Sequence, residues 1–311
     1  MFIKSFKQLN KKSVSEAGGK GASLGEMTNA RIPVPPGFVV LASSFEQFLK
    51  ETDLDVEIES ILKKVNHKDI NSVERASEKI RALIAGAKMP RDIAEKIKKH
   101  FKLLKSRFVA VRSSATAEDS STDAWAGQLE TYLNTTEKDL LKNVQKCWSS
   151  LFTPRAIFYR FEKKLHKKFV SVAVVVQTMV QSEVSGICFT VHPVTKDYNQ
   201  MVIEAGFGLG EAIVSGSVTP DTYIVHKDDF SILDINVSEQ SMMIVKSGNK
   251  NLHKKLSPRA GGKQKLTGKQ IVEFAKIAKN IEKHYKHPQD IEWAYVKGKF
   301  YITQSRPITT L

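Results

Sequence analysis

The sequence predicts an α+β protein of two lobes, helix-rich over residues 1–180 and β-rich over residues 181–311. Three observations carry this expectation. Apolar residues recur at helical spacing in the first half, as in Ile93, Ile97, Phe101 and Leu104. From residue 170 onward the period shortens, and runs of β-branched residues alternate with turn residues. A single amphipathic helix interrupts that β region, with Ile271, Phe274, Ala275, Ala278 and Ile281 on one face. A length of 311 residues suffices for two cores, and 41% apolar with 26% charged residues is an ordinary globular composition.

Taken in order, Ser43 and Glu46 have capping-box spacing ahead of Phe48 and Leu49, and Pro90 suits the first turn of a helix reaching about Lys105. Residues 108–111 read as a short buried strand. Residues 112–119, rich in small hydroxyl side chains, read as a polar loop that ends it. Helices follow at 136–151 and 154–164, then strands at 170–180, 186–191, 201–204, 223–226, 232–237 and 242–245. Thr267 and Gln270 form a second capping box at the start of the interrupting helix.

The net charge of +15 raises nucleic acid as a partner, but the excess lysines are scattered along helices such as Lys96, Lys98, Lys99, Lys102 and Lys105. No zinc-finger spacing or paired aromatic motif accompanies them, so the expectation is a solvated basic surface that steers anions inward, with no nucleic-acid partner. The first twelve residues are neither a signal peptide nor an anchor, and the run 170–180 is too short to span a bilayer; the expectation is a cytoplasmic protein with no membrane partner. Cys147 and Cys188 have no metal-binding spacing and are expected as two buried thiols.

Four segments carry candidate chemistry. Residues 18–27, GGKGASLGEM, set glycines around Lys20 ahead of a helical stretch, which lets backbone approach a phosphate; an ordinary turn uses the same residues. Arg112, where the buried strand meets the loop, offers a planar fork of donors to a phosphate, or a partner to Glu118 or Asp119. Residues 123–134, around Gly127 and Thr131, suit a backbone flap over a polyphosphate and equally a β-turn. Residues 290–306 read as a hairpin with a three-residue loop, 297–299. That loop places Val296 opposite Phe300, Glu292 opposite Gln304, and Arg306 on the same face. Such a set can bind Mg²⁺ through hard oxygens while the arginine takes a phosphate, or it is a polar pair on an exposed face; a two-residue loop would spoil the direct pairing.

The segments GGKGASLGEM (18–27), VPPGF (34–38), AVRSSATAEDS (110–120), AWAGQLETYLN (124–134), SGICFTVHPVT (185–195), GFGLGEAIVSGSVTPD (206–221) and DIEWAYVKGKFYITQSRPITTL (290–311) together resemble the ATP-binding domain shared by phosphoenolpyruvate synthases, pyruvate phosphate dikinases and rifampin phosphotransferases. The resemblance implies an ATP-grasp-like fold, two lobes clamping ATP between them, with Mg²⁺ as cofactor. It makes Lys20 and Arg112 phosphate ligands, puts Gly127 and Thr131 in a loop over the triphosphate, and assigns the strand around Gln177 to the adenine. It makes Glu292 and Gln304 the metal pair and places Arg306 at the terminal phosphates, with Lys20, Arg112 and Arg306 as the catalytic cations. Glu204, Glu211 and Asp221 receive no role; a buried helix cap or a lobe contact suits each.

The resemblance also implies partners. Family enzymes pass phosphate from ATP to a histidine of a swivelling domain, within Gly-Gly-x-Thr-Ser-His, and then to an acceptor. Gly261-Gly262-Lys263-Gln264 matches only the first two residues of that stretch. The histidine domain and an acceptor-binding domain, pyruvate being the expected acceptor, are therefore expected on another chain or on further sequence, with the chain a split-enzyme subunit or a fragment. The expected function is the ATP-binding domain of a phosphoenolpyruvate synthase-like enzyme. The alternatives are an antibiotic phosphotransferase and a non-catalytic nucleotide-binding module.

Overall fold

The computed structural model describes residues 1–116, 119–120, 123–124, 130–162, 170–248 and 250–309. They fall into two compact units, Met1–Glu26 with Pro36–Met179, and Met27–Pro35 with Val180–Leu311. Residues 27–35 thus group with the second unit, where the Ile302 amide donates to the Pro33 carbonyl at 2.8 Å.

The first unit is built on a five-stranded antiparallel sheet in the order Ile3–Ser5, Gly37–Val40, Val172–Thr178, Val109–Ala115, Thr131–Thr135. Alternation sends Val109, Val111, Val172, Val174 and Val176 to one face, where they join Phe45, Phe48, Ile80, Ile93, Ile97 and Trp148 from the helices in one core. Trp148 lies 5.6 Å from Phe45 and 5.0 Å from Phe48 between ring centroids. Burying each such side chain stabilises the fold by roughly 1.5–3 kcal/mol.

Two local expectations fail here for tertiary reasons. The strand expected to stop at residue 111 continues through Ala115, because it is paired on both sides and its hydroxyls find backbone partners. Ser113 Oγ donates to the Glu130 carbonyl at 2.9 Å and Ser114 Oγ to the Ala17 carbonyl at 2.9 Å. The helix Ala42–Glu51 begins before Ser43, whose hydroxyl donates to the Met1 carbonyl, so the capping-box spacing is not used. The Leu41 amide and the Ser44 hydroxyl both donate to the Phe2 carbonyl, and this tie to the first strand sets the helix start. Pro90 precedes the helix Arg91–Leu103, with Ile93, Ile97 and Phe101 buried.

The second unit holds a six-stranded antiparallel sheet in the order Ile232–Asn236, Asp221–His226, Gln200–Phe207, Val184–Phe189, Gln289–Val296, Lys299–Pro307. The helix Gly268–Tyr285 covers one face through the five residues read from the sequence, with Phe274 at 4.8 Å from Trp293 and 5.2 Å from Phe300 between centroids. Its capping box is formed: the Thr267 amide donates to Gln270 Oε1 at 2.8 Å, and the Thr267 hydroxyl accepts from the Gln270 amide. A separate hairpin, Met242–Ser247 with Lys250–Lys255, has a second strand exposed along its whole length, so no burial pattern marked it in the sequence.

Asp221 has a structural role. It is fully buried, with Oδ1 2.8 Å from Lys265 Nζ, and it accepts from the Ser238 amide, the Lys265 amide and the Tyr223 hydroxyl. Lys265 in turn donates to the Gly261 and Ser238 carbonyls, so both charges are fully coordinated. Both cysteines are buried free thiols, and burial holds their pKa values well above the usual range. No helix among the described residues is long and apolar enough to cross a membrane. Lys265→Met should cost about 3–5 kcal/mol, because it leaves Asp221 buried without its cation; urea unfolding of both proteins measures this.

Candidate functional site

In the first unit the sheet face opposite the core carries Arg112, Thr131 and Gln177. The register explains why: Arg112 lies opposite both Thr131 and Val175, and Gln177 is two residues along from Val175. Arg112 and Gln177 are buried, at 8% and 2% exposure, whereas Thr131 is exposed. Arg112 therefore stands in the middle of a strand, not at its end as the sequence suggested.

Lys20 approaches this face on a kinked helix. Residues Val14–Asn29 are helical except at Gly18, with φ +68°, so the glycine-rich segment is a helix that restarts, not a loop ahead of one. Ser114, two residues after Arg112 on the same face, holds the kink by donating to the Ala17 carbonyl and accepting from the Gly21 amide at 3.3 Å. A Cβ at Gly18 would lie 2.2 Å from Ser114 Oγ and 2.4 Å from its carbonyl oxygen. Only glycine fits there on both counts, conformation and space.

Next to Thr131, Glu130 is tied on three sides. The Tyr132 hydroxyl donates to its carboxylate, Arg81 Nη2 donates to the same group at 2.6 Å, and its carbonyl receives the Ser113 amide at 3.1 Å. Burial, reinforced by that carboxylate, pushes the Tyr132 phenol far above its ordinary range. Gly127 lies outside the described residues, as do Glu118 and the side chain of Asp119, the possible partners of Arg112.

The second unit assembles its residues through an irregular hairpin. The turn has two residues, Lys297 and Gly298, both with positive φ (51° and 74°), so Val296 pairs with Lys299 and Tyr295 with Phe300. The expected pairing of Val296 with Phe300 is not formed. Continued regularly, that register would place Thr303 opposite Glu292. A bulge instead inserts Thr303 between Ile302, opposite Trp293, and Gln304, which lies opposite Glu292. The extra residue reverses the alternation: Phe300 and Ile302 stay on the helix-covered face, while Gln304 and Arg306 turn to the face of Glu292.

Arg306 is then opposite Asp290, and its Nε and Nη2 each lie 2.8 Å from Asp290 Oδ2. Glu204 joins the same row through Ile187, which pairs with both Glu204 and Glu292. Burial raises the Asp290 pKa against the opposing pull of Arg306, with Glu292 adding to the rise. The Glu204 pKa is raised by burial and by Asp290. Glu211, by contrast, accepts from Asn251 at 3.0 Å on an exposed surface.

The family described as pyruvate phosphate dikinase, AMP/ATP-binding domain, matches residues 14–311. The chain belongs to that family. As an AMP/ATP-binding domain of this kind, it is 49% identical over its whole length to a probable phosphoenolpyruvate synthase of Methanocaldococcus jannaschii, covering 27% of that protein. It is 43% identical over its whole length to the phosphoenolpyruvate synthase of Pyrococcus furiosus, covering 44% of it. It is 38% identical to a rifampicin phosphotransferase of Bacillus cereus, again over its whole length and 36% of the relative. The chain thus spans between about a quarter and a half of the length of these relatives.

The donor set suits a hard divalent cation. Glu292 and Gln304 offer two oxygen ligands from directly opposed positions, and among the described residues no three His, Cys, Asp or Glu side chains form a closed cage. Mg²⁺ is characteristically held by one or two protein oxygens with phosphate oxygens and water completing its shell. Asp290, absent from the sequence-derived set, was legible as the residue two before Glu292 on the same strand face. Glu204 was not, because its placement depends on the pairing of non-adjacent strands.

The raised pKa values give a signed expectation. A carboxyl whose folded pKa lies above its unfolded value destabilises the fold once ionised, fully above the folded pKa and not at all below the unfolded one. Glu204→Gln should therefore stabilise the ligand-free chain at pH 8, and the difference should vanish as pH falls to the ordinary glutamate range. Thermal unfolding of both proteins across pH checks it.

Proposed function

We propose that this domain binds Mg·ATP and donates phosphate in a phosphoenolpyruvate synthase-like phosphotransferase, its two units acting as the lobes of an ATP-grasp-like fold. The carrying observation is the bulge that sets Glu292 against Gln304 and turns Arg306 to the same face. A carboxylate, an amide carbonyl and an arginine oriented by Asp290 are what a metal-bound polyphosphate requires. A module recognising adenine alone has no use for them.

In this reading Glu292 and Gln304 hold the cation, which offsets charge on the phosphate oxygens when bound. Asp290 fixes the plane of the Arg306 guanidinium beside the terminal phosphates. Arg112 and Lys20 contact phosphate from the first unit, Thr131, at the start of its strand, and Gly127 contact the triphosphate, and the strand containing Gln177 lines the adenine. No nucleophile of this chain is needed. A histidine of a swivelling domain attacks the β-phosphorus in line, the bond from that phosphorus to the bridging oxygen of the α-phosphate breaks, and AMP leaves with the β- and γ-phosphates on the histidine; water then cleaves the β–γ bridge, releasing the γ-phosphate as inorganic phosphate and leaving one phosphoryl group to pass on. Pyruvate bound elsewhere is the final acceptor. The higher identity to phosphoenolpyruvate synthases favours this acceptor over an antibiotic.

The test supplies the histidine domain of a phosphoenolpyruvate synthase in trans and follows AMP release. Arg306→Ala should slow release by about 100-fold or more while ATP affinity changes little, as expected for a group acting mainly on transition-state charge. Unchanged release in the variant contradicts the role of Arg306.

A further inference from the structure

We propose that the edge strand Ile232–Asn236 pairs with the same strand of a second copy of this chain, antiparallel and centred on Ile235. Among the described residues the strand ends the six-stranded sheet and is paired on one side only, with Asp221–His226. Its side chains beyond Ile232 are exposed, and the apolar ones alternate: Leu233 is 51%, Ile235 43% and, just past the strand, Val237 40% exposed.

Other sheet edges carry features that discourage pairing. Lys299–Pro307 presents Lys299, Arg306 and Pro307, Lys250–Lys255 presents three lysines, and Ile3–Ser5 presents Lys4. Thr131–Thr135 is buried at Asn134 and Thr135. Ile232–Asn236 has neither a cation nor a proline. Exposed apolar side chains on an edge whose one charge is Asp234 mark an interaction surface.

The sequence 233–237, Leu-Asp-Ile-Asn-Val, says what fits there. Paired antiparallel with itself about Ile235, it sets Ile235 against Ile235, Leu233 against Val237, and Asp234 against Asn236. Apolar meets apolar, and the only charge meets an amide, so no two carboxylates are opposed. Centring on Asp234 would oppose two aspartates, and centring on Asn236 would set Asp234 against Ser238. The bulge inserts Leu233 between Ile232 and Asp234 and so falls on the end residue of the paired run, leaving residues 234–236 in regular pairing. A five-residue contact between two copies of a chain carrying +15 predicts a weak, isologous dimer that tightens as salt screens the repulsion.

Sedimentation equilibrium of the chain at rising concentration in about 0.15 M salt should show a monomer–dimer equilibrium that Ile235→Lys abolishes without changing thermal unfolding. Under mild oxidation Ile235→Cys should give a covalent dimer, since directly opposed residues lie about 4.5–5.5 Å apart between Cα atoms, within disulfide reach. Cys147 and Cys188 are buried and contribute no background. Ser231→Cys should not cross-link, because this register separates the two copies of residue 231 by eight positions, about 26 Å at the rise of a strand. A monomer at every concentration would overturn the proposal and leave the edge to a different polypeptide. A dimer indifferent to Ile235→Lys, or one cross-linked through residue 231 and not 235, would overturn it too.

Discussion

Glu292 and Gln304 share a sheet face because one residue is inserted between Ile302 and Gln304. Strand alternation is strict, and Phe300 and Ile302 are committed to the core beneath the helix Gly268–Tyr285. By alternation alone Gln304 and Arg306 would follow them inward, where an unpaired guanidinium is prohibitively costly. Inserting Thr303 resolves the conflict locally. Aromatic packing holds the turn end of the hairpin, the polar set occupies the other end, and Ser305 takes the inward position, donating to Gln289 at 2.8 Å. The charged face therefore depends on an irregularity that the core on the opposite face makes necessary.

The first unit solves a related problem by different means. Its interior strand Val109–Ala115 carries three polar residues, Arg112, Ser113 and Ser114, that would ordinarily end a buried strand. Ser113 satisfies its hydroxyl on the Glu130 carbonyl, and Ser114 uses its own to hold the kink at Gly18. The same hydroxyls that disguise the strand in the sequence position Lys20 and the residues around Thr131. Glu130, held by Arg81 and Tyr132, anchors the chain immediately before Thr131.

What was legible in the sequence was local. The helix Gly268–Tyr285 follows from its capping box and apolar stripe, since both are set by residues within a few positions of each other. The opposition of Glu292 and Gln304 was also read correctly, though through a three-residue loop that does not exist; the two-residue turn and the bulge add up to the same offset. Illegible were features fixed by distant chain. The extension of the strand to Ala115 needs neighbours from residues 131–135 and 172–178, the early start of the helix at Ala42 needs Phe2, and Glu204 enters the acidic row only through Ile187. Asp221 received no role from the sequence, because its partner is the buried Lys265, forty-four residues away.

The central claim is that the bulged hairpin is a metal-dependent nucleotide site, and calorimetric titration of the chain with ATP, with and without Mg²⁺, beside a Glu292→Ala, Gln304→Ala double variant tests it most directly. Binding that requires Mg²⁺ in the parent chain, and that loses its metal dependence in a variant with unchanged thermal unfolding, is the predicted result. Equal ATP binding by parent and variant, in the presence of Mg²⁺ and in its absence, would contradict the account.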